Sequence, residues 1–353
     1  SNPVNIGFRQ PINGYNSYKW EKLIEPLRYE ESKRNYLNAL EIVSISAIRH
    51  FFELALAQKN VEIESLNFSN ADTLFRIAQG RYNLGTIAEN ELLQMELTFL
   101  NADAALNEAL IDLQMKKYQL NSFLGFSQET DIRLKIPHEI PYLEVDPQLA
   151  LTEARKNNPD ILNMQRQLLE AERDVSSSKS EKGLNASLYA SFGLSQRAAD
   201  LRGAYIDPQD QERVRVGIQI PIADWGLGKG KYRMAQSAQE VIKTNVRQAD
   251  MDFQQDVLLK VMQFNLQDNQ LRIASKADTI AAIRYEVSKQ RFLIGRISVL
   301  DLNVAQTEKD VAARGYLNAL KNYWTYFFNI RALTLYDWIS NRPLSEEFDE
   351  LIR

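Results

Sequence analysis

Residues 81–93 read RYNLGTIAENELL, and residues 291–303 read RFLIGRISVLDLN. Each stretch has a basic residue, an aromatic residue, two further residues and a glycine, with an acid (Glu91 or Asp301) six positions past the glycine. Glycine inside a helix costs about 1 kcal/mol relative to alanine. A helical chain that keeps Gly85 and Gly295 therefore marks places where the helix must bend, end or be closely approached. The two glycines lie 210 residues apart, as do Arg81 and Arg291, Gly7 and Gly217, and Pro11 and Pro221. Matches at one constant offset read as an internal duplication: strand, long helix down, tip, long helix back.

Away from the tips the sequence is helix-compatible over long reaches. Residues 19–72 and 73–124 hold one proline, Pro26, and two glycines, Gly80 and Gly85. Residues 231–338 hold no proline and only Gly295 and Gly315. Apolar residues recur there at helical spacing, as in Val257, Val261 and Phe264 or Ile280, Ile283 and Val287. The pattern predicts two helical hairpins with arms of about 50 residues, about 75 Å long at 1.5 Å per residue. Arms of that length cannot bury a stripe inside a compact monomer, so they predict coiled-coil packing against neighbouring helices, including those of other chains.

The remainder is strand-like. In LNASLYASFGLS (184–195), Leu184, Ala186, Leu188, Ala190, Phe192 and Leu194 alternate with small or polar residues. In RVRVGIQIPI (213–222), Val214, Val216, Ile218, Ile220 and Ile222 alternate with Arg213, Arg215, Gly217, Gln219 and Pro221. Val4, Ile6, Phe8 and Ile12 alternate in the same way at the start. Strict alternation over about ten residues fits a tilted membrane-spanning strand, and equally an amphipathic hairpin in a soluble sandwich. Residues 196–212 are polar and read as an external loop. Subtracting 210 from the helix around Pro159 and from strand 184–195 places their counterparts before residue 1. A complete protomer is therefore expected to carry four strands where this chain shows three, the first quarter of the architecture being absent.

Composition narrows the functional classes. Of 353 residues, 44% are apolar, and 46 acids against 42 bases give a net charge of −4, so nothing in the bulk charge points to nucleic acid. There is no cysteine, which removes thiol chemistry, disulfides and thiolate metal sites. No apolar run is long enough for a transmembrane helix, and a β-barrel span would not register in such a scan. GLGKGK (226–231) has glycines and lysine near a helix start but not phosphate-loop spacing, and reads as a turn from strand to helix. His50 and His138 stand alone, no nucleophile–base constellation is apparent, and neither an enzyme, a metal site nor a cofactor is expected. Trp20, Trp225, Tyr15, Tyr18 and Tyr205 flank the strands, where interfacial aromatics sit in membrane barrels.

Several motifs resemble those of the TolC family of outer-membrane efflux factors. IPIADWGLGKGKYRMAQSAQE (220–240) is similar to its strand-to-helix junction, and QPINGYNSYKWEKLIEPLRYEESKRNY (10–36) to the first such junction in a subset of the family. EARKNNPDI (153–161) resembles its Asn-Pro helix before the strand, and the two tip stretches resemble its Tyr-x-x-Gly…Asp element. The resemblance implies a mainly α fold with β: long helical hairpins forming an α-barrel, strands of a trimeric 12-stranded outer-membrane β-barrel, and two tandem repeats. It divides the chain into a strand of repeat 1 (1–12), a helical hairpin (13–124), a connector with equatorial helices (125–183), a β-hairpin of repeat 2 (184–222), a second helical hairpin (223–338) and a C-terminal tail (339–353). It further implies a homotrimer in outer-membrane lipid with helices reaching into the periplasm, working with a periplasmic adaptor and an inner-membrane pump as a passive exit duct. A periplasmic coiled-coil scaffold is the other reading. Asp301 falls where the family carries an acid lining the periplasmic entrance, although the frequent second acid is here Val304. Glu91 replaces the usual Asp of the first repeat and is a candidate partner for Arg291 or Arg296 of a neighbouring hairpin; either acid also suits an ordinary helix surface. Arg81, Tyr82, Gly85, Phe292 and Gly295 are the expected adaptor contacts at the tips.

Overall fold

The long reaches poor in proline and glycine fold as helices, the first of them carrying Pro26 within it. The computed structural model describes residues 4–11, 15–136, 143–183, 185–195, 209–219 and 224–345. The long helices are α1 (Ser17–Asn83), α2 (Glu89–Leu124), α5 (Leu227–Leu293) and α6 (Val299–Thr334), and raising the bounds of α1 and α2 by 210 gives those of α5 and α6. The arms are unequal, 67 and 36 residues, instead of the even division expected near residue 72. The turn falls where the backbone can take a positive φ, at Gly85 and Gly295. Shorter helices α3 (Pro147–Asn157) and α4 (Pro159–Glu181) lie between the hairpins, with strands β1 (Val4–Pro11), β2 (Asn185–Ser195) and β3 (Gln209–Gln219), and with β4 (Tyr336–Asp337) and β5 (Arg342–Pro343) near the end. No described helix is long and apolar enough to cross a membrane. The chain divides into two units, residues 1–35 with 158–254 and residues 36–157 with 255–353.

The first unit holds an antiparallel sheet in the order β1-β2-β3. Its register places Ile6 beside Phe192, Phe8 beside Ala190, and Ala190 and Leu188 beside Val214 and Val216, so one face is mainly apolar, with Gln10 near the end of β1 and Asp210 and Glu212 at the start of β3. Ile6, Phe8, Phe192, Val214, Val216 and Ile218 are all exposed on it. The opposite face carries Arg9, Tyr189 and Arg215 in one row and Gly7, Ser191 and Arg213 in the next. β3 begins at Gln209, so residues 209–212 belong to the strand and not to the expected polar loop; pairing continues to Ser195–Gln209 regardless of side-chain polarity. Ile12, Ile220, Pro221, Ile222 and the rest of the expected loop lie outside the described residues.

Asn158 and Pro159 start α4: the Asn158 side chain accepts from the Asp160 amide at 2.8 Å, and proline occupies the first turn, where its missing N–H goes unused. Arg166 then fixes α4 to α1, donating to Glu31 from Nε (2.6 Å) and Nη2 (3.1 Å), with Asn163 adding a third bond at 2.9 Å. That guanidinium holds the Glu31 carboxyl below its ordinary value despite burial. At the strand-to-helix turn, the Asp224 carboxylate accepts from the amides of Gly226 (3.0 Å) and Gly228 (2.9 Å). These are the amides a phosphate would need, so GLGKGK is a self-capped turn, with Trp225 fully outside at φ 46°.

In the second unit, Phe99 of α2 lies against Phe68 and Phe75 of α1, and Phe264 of α5 against Tyr323 and Phe327 of α6. His50 is a packing residue, its ring 4.9 Å from that of Phe123; His138 lies outside the described residues. Helix α3 packs on α6, burying Ala150 and Ala154, and Asn265 exchanges two bonds with the backbone of Val145. Helix α6 stops at Thr334, four residues before the expected boundary, because Leu335 turns left-handed (φ 44°) and the chain folds back through β4 and β5. Trp338 is buried there and donates to the Thr334 hydroxyl at 3.2 Å.

Candidate functional site at the hairpin tips

Both tips are built by the same backbone device. The Gly85 amide bonds to the Tyr82 carbonyl (2.8 Å) and the Thr86 amide to the Arg81 carbonyl (2.9 Å). Gly295 repeats this with Phe292 (2.9 Å) and Arg296 with Arg291 (2.9 Å). This pair of bonds is the Schellman termination, which requires a left-handed residue after the helix; φ is 68° at Gly85 and 73° at Gly295. A Cβ at either glycine would meet no atom within 4 Å. Within the chain the glycine supplies conformation, not space, and of the three explanations that the sequence allows, helix termination is the one realised.

The acids differ between tips. Ser298 caps α6: its hydroxyl accepts from the Asp301 amide (3.2 Å), while the Asp301 carboxylate accepts from the Ser298 hydroxyl (2.7 Å) and amide (3.1 Å). Those bonds, with Arg291 nearby, hold the Asp301 carboxyl below its ordinary value. The corresponding position before α2 is Ala88, which has no side-chain cap, and Glu91 makes no side-chain hydrogen bond or ion pair among the described residues. Arg291 and Arg296 are exposed and form no ion pair with Glu91 within the chain. The aromatics differ too. Phe292 is buried with Tyr285, Leu302 and Ala305 under the second tip, with Leu74 and Ile297 against them, whereas Tyr82 is exposed. Phe292 is thus a packing residue within the chain, because Leu302 of α6 folds back over it. Arg81 reaches across to the second tip, its guanidinium 3.5 Å from the Leu293 carbonyl.

Above the tips lies a polar seam that sequence reading missed. Asn67 of α1 donates to the buried Asp310 of α6 (2.8 Å), and Arg314 binds Glu64 (2.6 Å) and Asn60 (2.9 Å). Asn70 links the Tyr285 hydroxyl (3.0 Å) to Lys289 (3.1 Å), and the Lys309 ammonium sits over the Tyr285 ring. Further along, Glu41 pairs with Arg331 at 2.9 Å. The signal was present in the sequence: Asn60, Glu64 and Asn67 follow the same three- and four-residue spacing as the apolar stripe, where polar residues mark a specific interhelical contact.

Strands alternating between an exposed apolar and a polar face, paired tandem hairpins and matched tips point to one class of protein. A family model described as outer membrane efflux protein matches residues 150–334, more than half of the chain. The chain belongs to the outer membrane efflux protein family. It is accordingly an outer-membrane protein of efflux transport. Solved outer-membrane channels and proteins share its fold. The Campylobacter jejuni CmeC outer membrane channel superposes with TM-score 0.73 and 17% identity over 99% of this chain and 73% of its own. The Vibrio cholerae outer membrane protein VceC gives 0.71 and 15% over 94% and 78%. The open state of the Neisseria gonorrhoeae MtrE channel gives 0.69 and 15% over 94% and 79%. No curated protein sequence matches the chain. The family is one of efflux transport and not of enzymes.

Proposed function

We propose that this chain is one protomer of a homotrimeric outer-membrane duct, the passive exit of a tripartite efflux or type I secretion system fed by an inner-membrane pump through a periplasmic adaptor. One observation carries the reading: a sheet with a mainly apolar, exposed face (Ile6, Phe8, Phe192, Val214, Val216 and Ile218) and a polar opposite face, the acids Asp210 and Glu212 of the first face lying at the start of β3. In the order β1-β2-β3 both outer strands have an unpaired edge among the described residues. In lipid such edges must be paired, which only barrel closure with other copies supplies. The helical hairpins support the same reading, since α2 and α5 expose apolar stripes suited to helices of another copy.

In this reading the tips are the periplasmic entrance. Arg81, Tyr82, Gly85 and Gly295 present the surface to the adaptor, with Phe292 supporting it from beneath. Asp301 and Glu91 form carboxylate rings at the constriction, and Arg291 and Arg296 are their partners across neighbouring hairpins in the closed state. Opening moves the hairpins apart without covalent chemistry. The test is reconstitution of the full-length protein in planar bilayers. Discrete conductance from a detergent-resistant trimer is expected, and Asp301→Ala with Glu91→Ala changes block by divalent cations. Absence of both trimer and conductance favours a periplasmic scaffold; conductance with unaltered block removes the acids from the gate.

A further inference from the structure

The polar face of the sheet carries charge of one sign. Among the described residues its charged groups are Arg9, Arg213 and Arg215, with no acid beside them; the nearby acids of β3, Asp210 and Glu212, fall on the opposite face. This is not a consequence of overall composition, since the chain as a whole is acidic, at −4. Register places Arg9 and Arg215 on either side of Tyr189, about 10 Å apart across two strand spacings, with Arg213 about 7 Å along β3 from Arg215. All three are exposed, and none makes an ion pair among the described residues. Three guanidinium groups within roughly one Debye length of 10 Å repel one another. A fold keeps such a local conflict where the charge has a use.

Much of the rest of that face is low. Gly7, Gly193, Gly217, Ser187 and Ser191 give it little relief, and the Tyr189 ring lies over Gly7, its phenol oxygen 3.2 Å from where a Cβ at Gly7 would stand. The arginines are therefore the long charged groups standing from the wall, with Gln211 as a long neutral neighbour on β3. We propose that Arg9, Arg213 and Arg215 line the barrel lumen as an anion-favouring band, which selects carboxylate-, sulfonate- or phosphate-bearing solutes as the preferred cargo at the exit. The proposal rests on the duct reading, which makes the apolar face the lipid side and this face the lumen. Guanidinium matches such groups with paired N–H donors and stays charged at any working pH. Three copies would bring nine arginines to one level of the lumen. The carboxylates at the tips favour the opposite sign, and Asp301 is already engaged by Ser298.

Reversal potentials of the full-length protein in bilayers, under a KCl gradient, test this. Arg9→Gln, Arg213→Gln and Arg215→Gln together should lower the chloride-to-potassium permeability ratio by about threefold. The drop should deepen when both solutions are diluted at a constant gradient until the weaker is 10 mM, where the Debye length reaches about 30 Å. The triple Lys variant keeps the charge and should keep the wild-type ratio. A ratio that does not move in the Gln variant at 10 mM overturns the proposal; if the triple Gln variant does not assemble, the same reading on each single Gln variant decides. Absence of conductance in the wild type counts against the duct reading instead. The arginine band is then read by binding of a trisulfonated pyrene dye to the detergent-solubilised protein at low salt. Binding about tenfold weaker in the Gln variant and intact in the Lys variant supports the band, and equal binding in all three overturns it.

Discussion

Positions 210 residues apart in the two helical hairpins have opposite surroundings. Phe52 of α1 is 2% exposed and its counterpart Met262 of α5 is 62%; for Ile63 and Ile273 the values are 5% and 60%. In the returning arms, Asp310 of α6 is 6% exposed and its counterpart Leu100 of α2 is 55%. The faces of α1 and α6 that cover each other within one chain thus recur on α5 and α2, where this chain leaves them open. Their chemistry changes with the company. The covered seam buries Glu41, Asn67 and Asp310. The open one is an apolar stripe, Leu259, Met262, Leu266, Ile273, Ile280, Ile283 and Val287 on α5, with Leu93, Leu97 and Leu100 on α2. Helices on one chain meet without the cost of association, so their seam can use buried polar pairs that fix register. Helices from separate copies must first offset about 4–15 kcal/mol of lost translational and rotational freedom, which apolar burial is suited to do.

The largest effect is expected where the open stripe is charged. Ile273→Glu with Ile280→Glu places two carboxylates in the stripe, each also removing about 1.5–3 kcal/mol of apolar burial per copy. Size-exclusion chromatography with light scattering in detergent should show protomers in place of the proposed trimer. The same substitutions leave the seam between α1 and α6 untouched, so helix content should hold. A fully assembled double variant would mean that α2 and α5 do not meet between copies, and the comparison would lose its explanation.

The covered seam is broken at Arg331. Glu41 Oε2 and Arg331 Nε have no partner among the described residues, so the pair is held by a single bond in a buried setting. Removing one partner of a buried pair costs about 3 kcal/mol, chiefly by leaving the other charge uncompensated. Arg331→Ala should lower thermal stability at pH 7 by that order. Burial already raises the Glu41 carboxyl above its ordinary value, with Arg331 opposing the rise. A carboxyl whose folded pKa lies above its unfolded one favours the fold most when protonated, below the ordinary value, and loses that advantage as pH rises through the folded pKa. The penalty in the variant should therefore shrink as pH falls. An equal penalty at acid and neutral pH would assign the effect to lost packing of Arg331 on Phe327 and Phe328.

How much of this could be read from the sequence follows from the range of each interaction. The glycine spacing located both tips, because the Schellman turn is a contact among six consecutive residues. Alternation located the strands, but the start of β3 depends on register with β2, and residues 209–212 show no alternation that would reveal it. Heptad spacing appears in both hairpins, yet nothing local says which stripe its own chain covers. That depends on α1 meeting α6, as in the bond between Asn67 and Asp310, 243 residues apart. Tyr82 and Phe292 occupy the same place in the tip pattern, and only the fold-back of Leu302 over Phe292 makes one exposed and the other buried.

The smallest effect concerns the caps, where the two tips can be exchanged. Ser298 caps α6 reciprocally with Asp301, whereas Ala88 leaves α2 uncapped with Glu91 already in place three residues on. Ala88→Ser would complete the Ser-x-x-Glu capping box and stabilise the first turn of α2 by about 1 kcal/mol; Ser298→Ala should remove about the same from α6. Amide hydrogen exchange reads both: about fivefold slower at Glu91 in the first variant and about fivefold faster at Asp301 in the second. The second tip should respond to acid. The Ser298 bonds lower the Asp301 pKa, so its contribution is present above the ordinary carboxylate value and lost as pH falls through the lowered one. Ser298→Ala should erase that pH dependence. If Asp301 exchange keeps its acid sensitivity without Ser298, the acid is responding to charges around it, Arg291 first among them, and its place at the tip is electrostatic before it is structural.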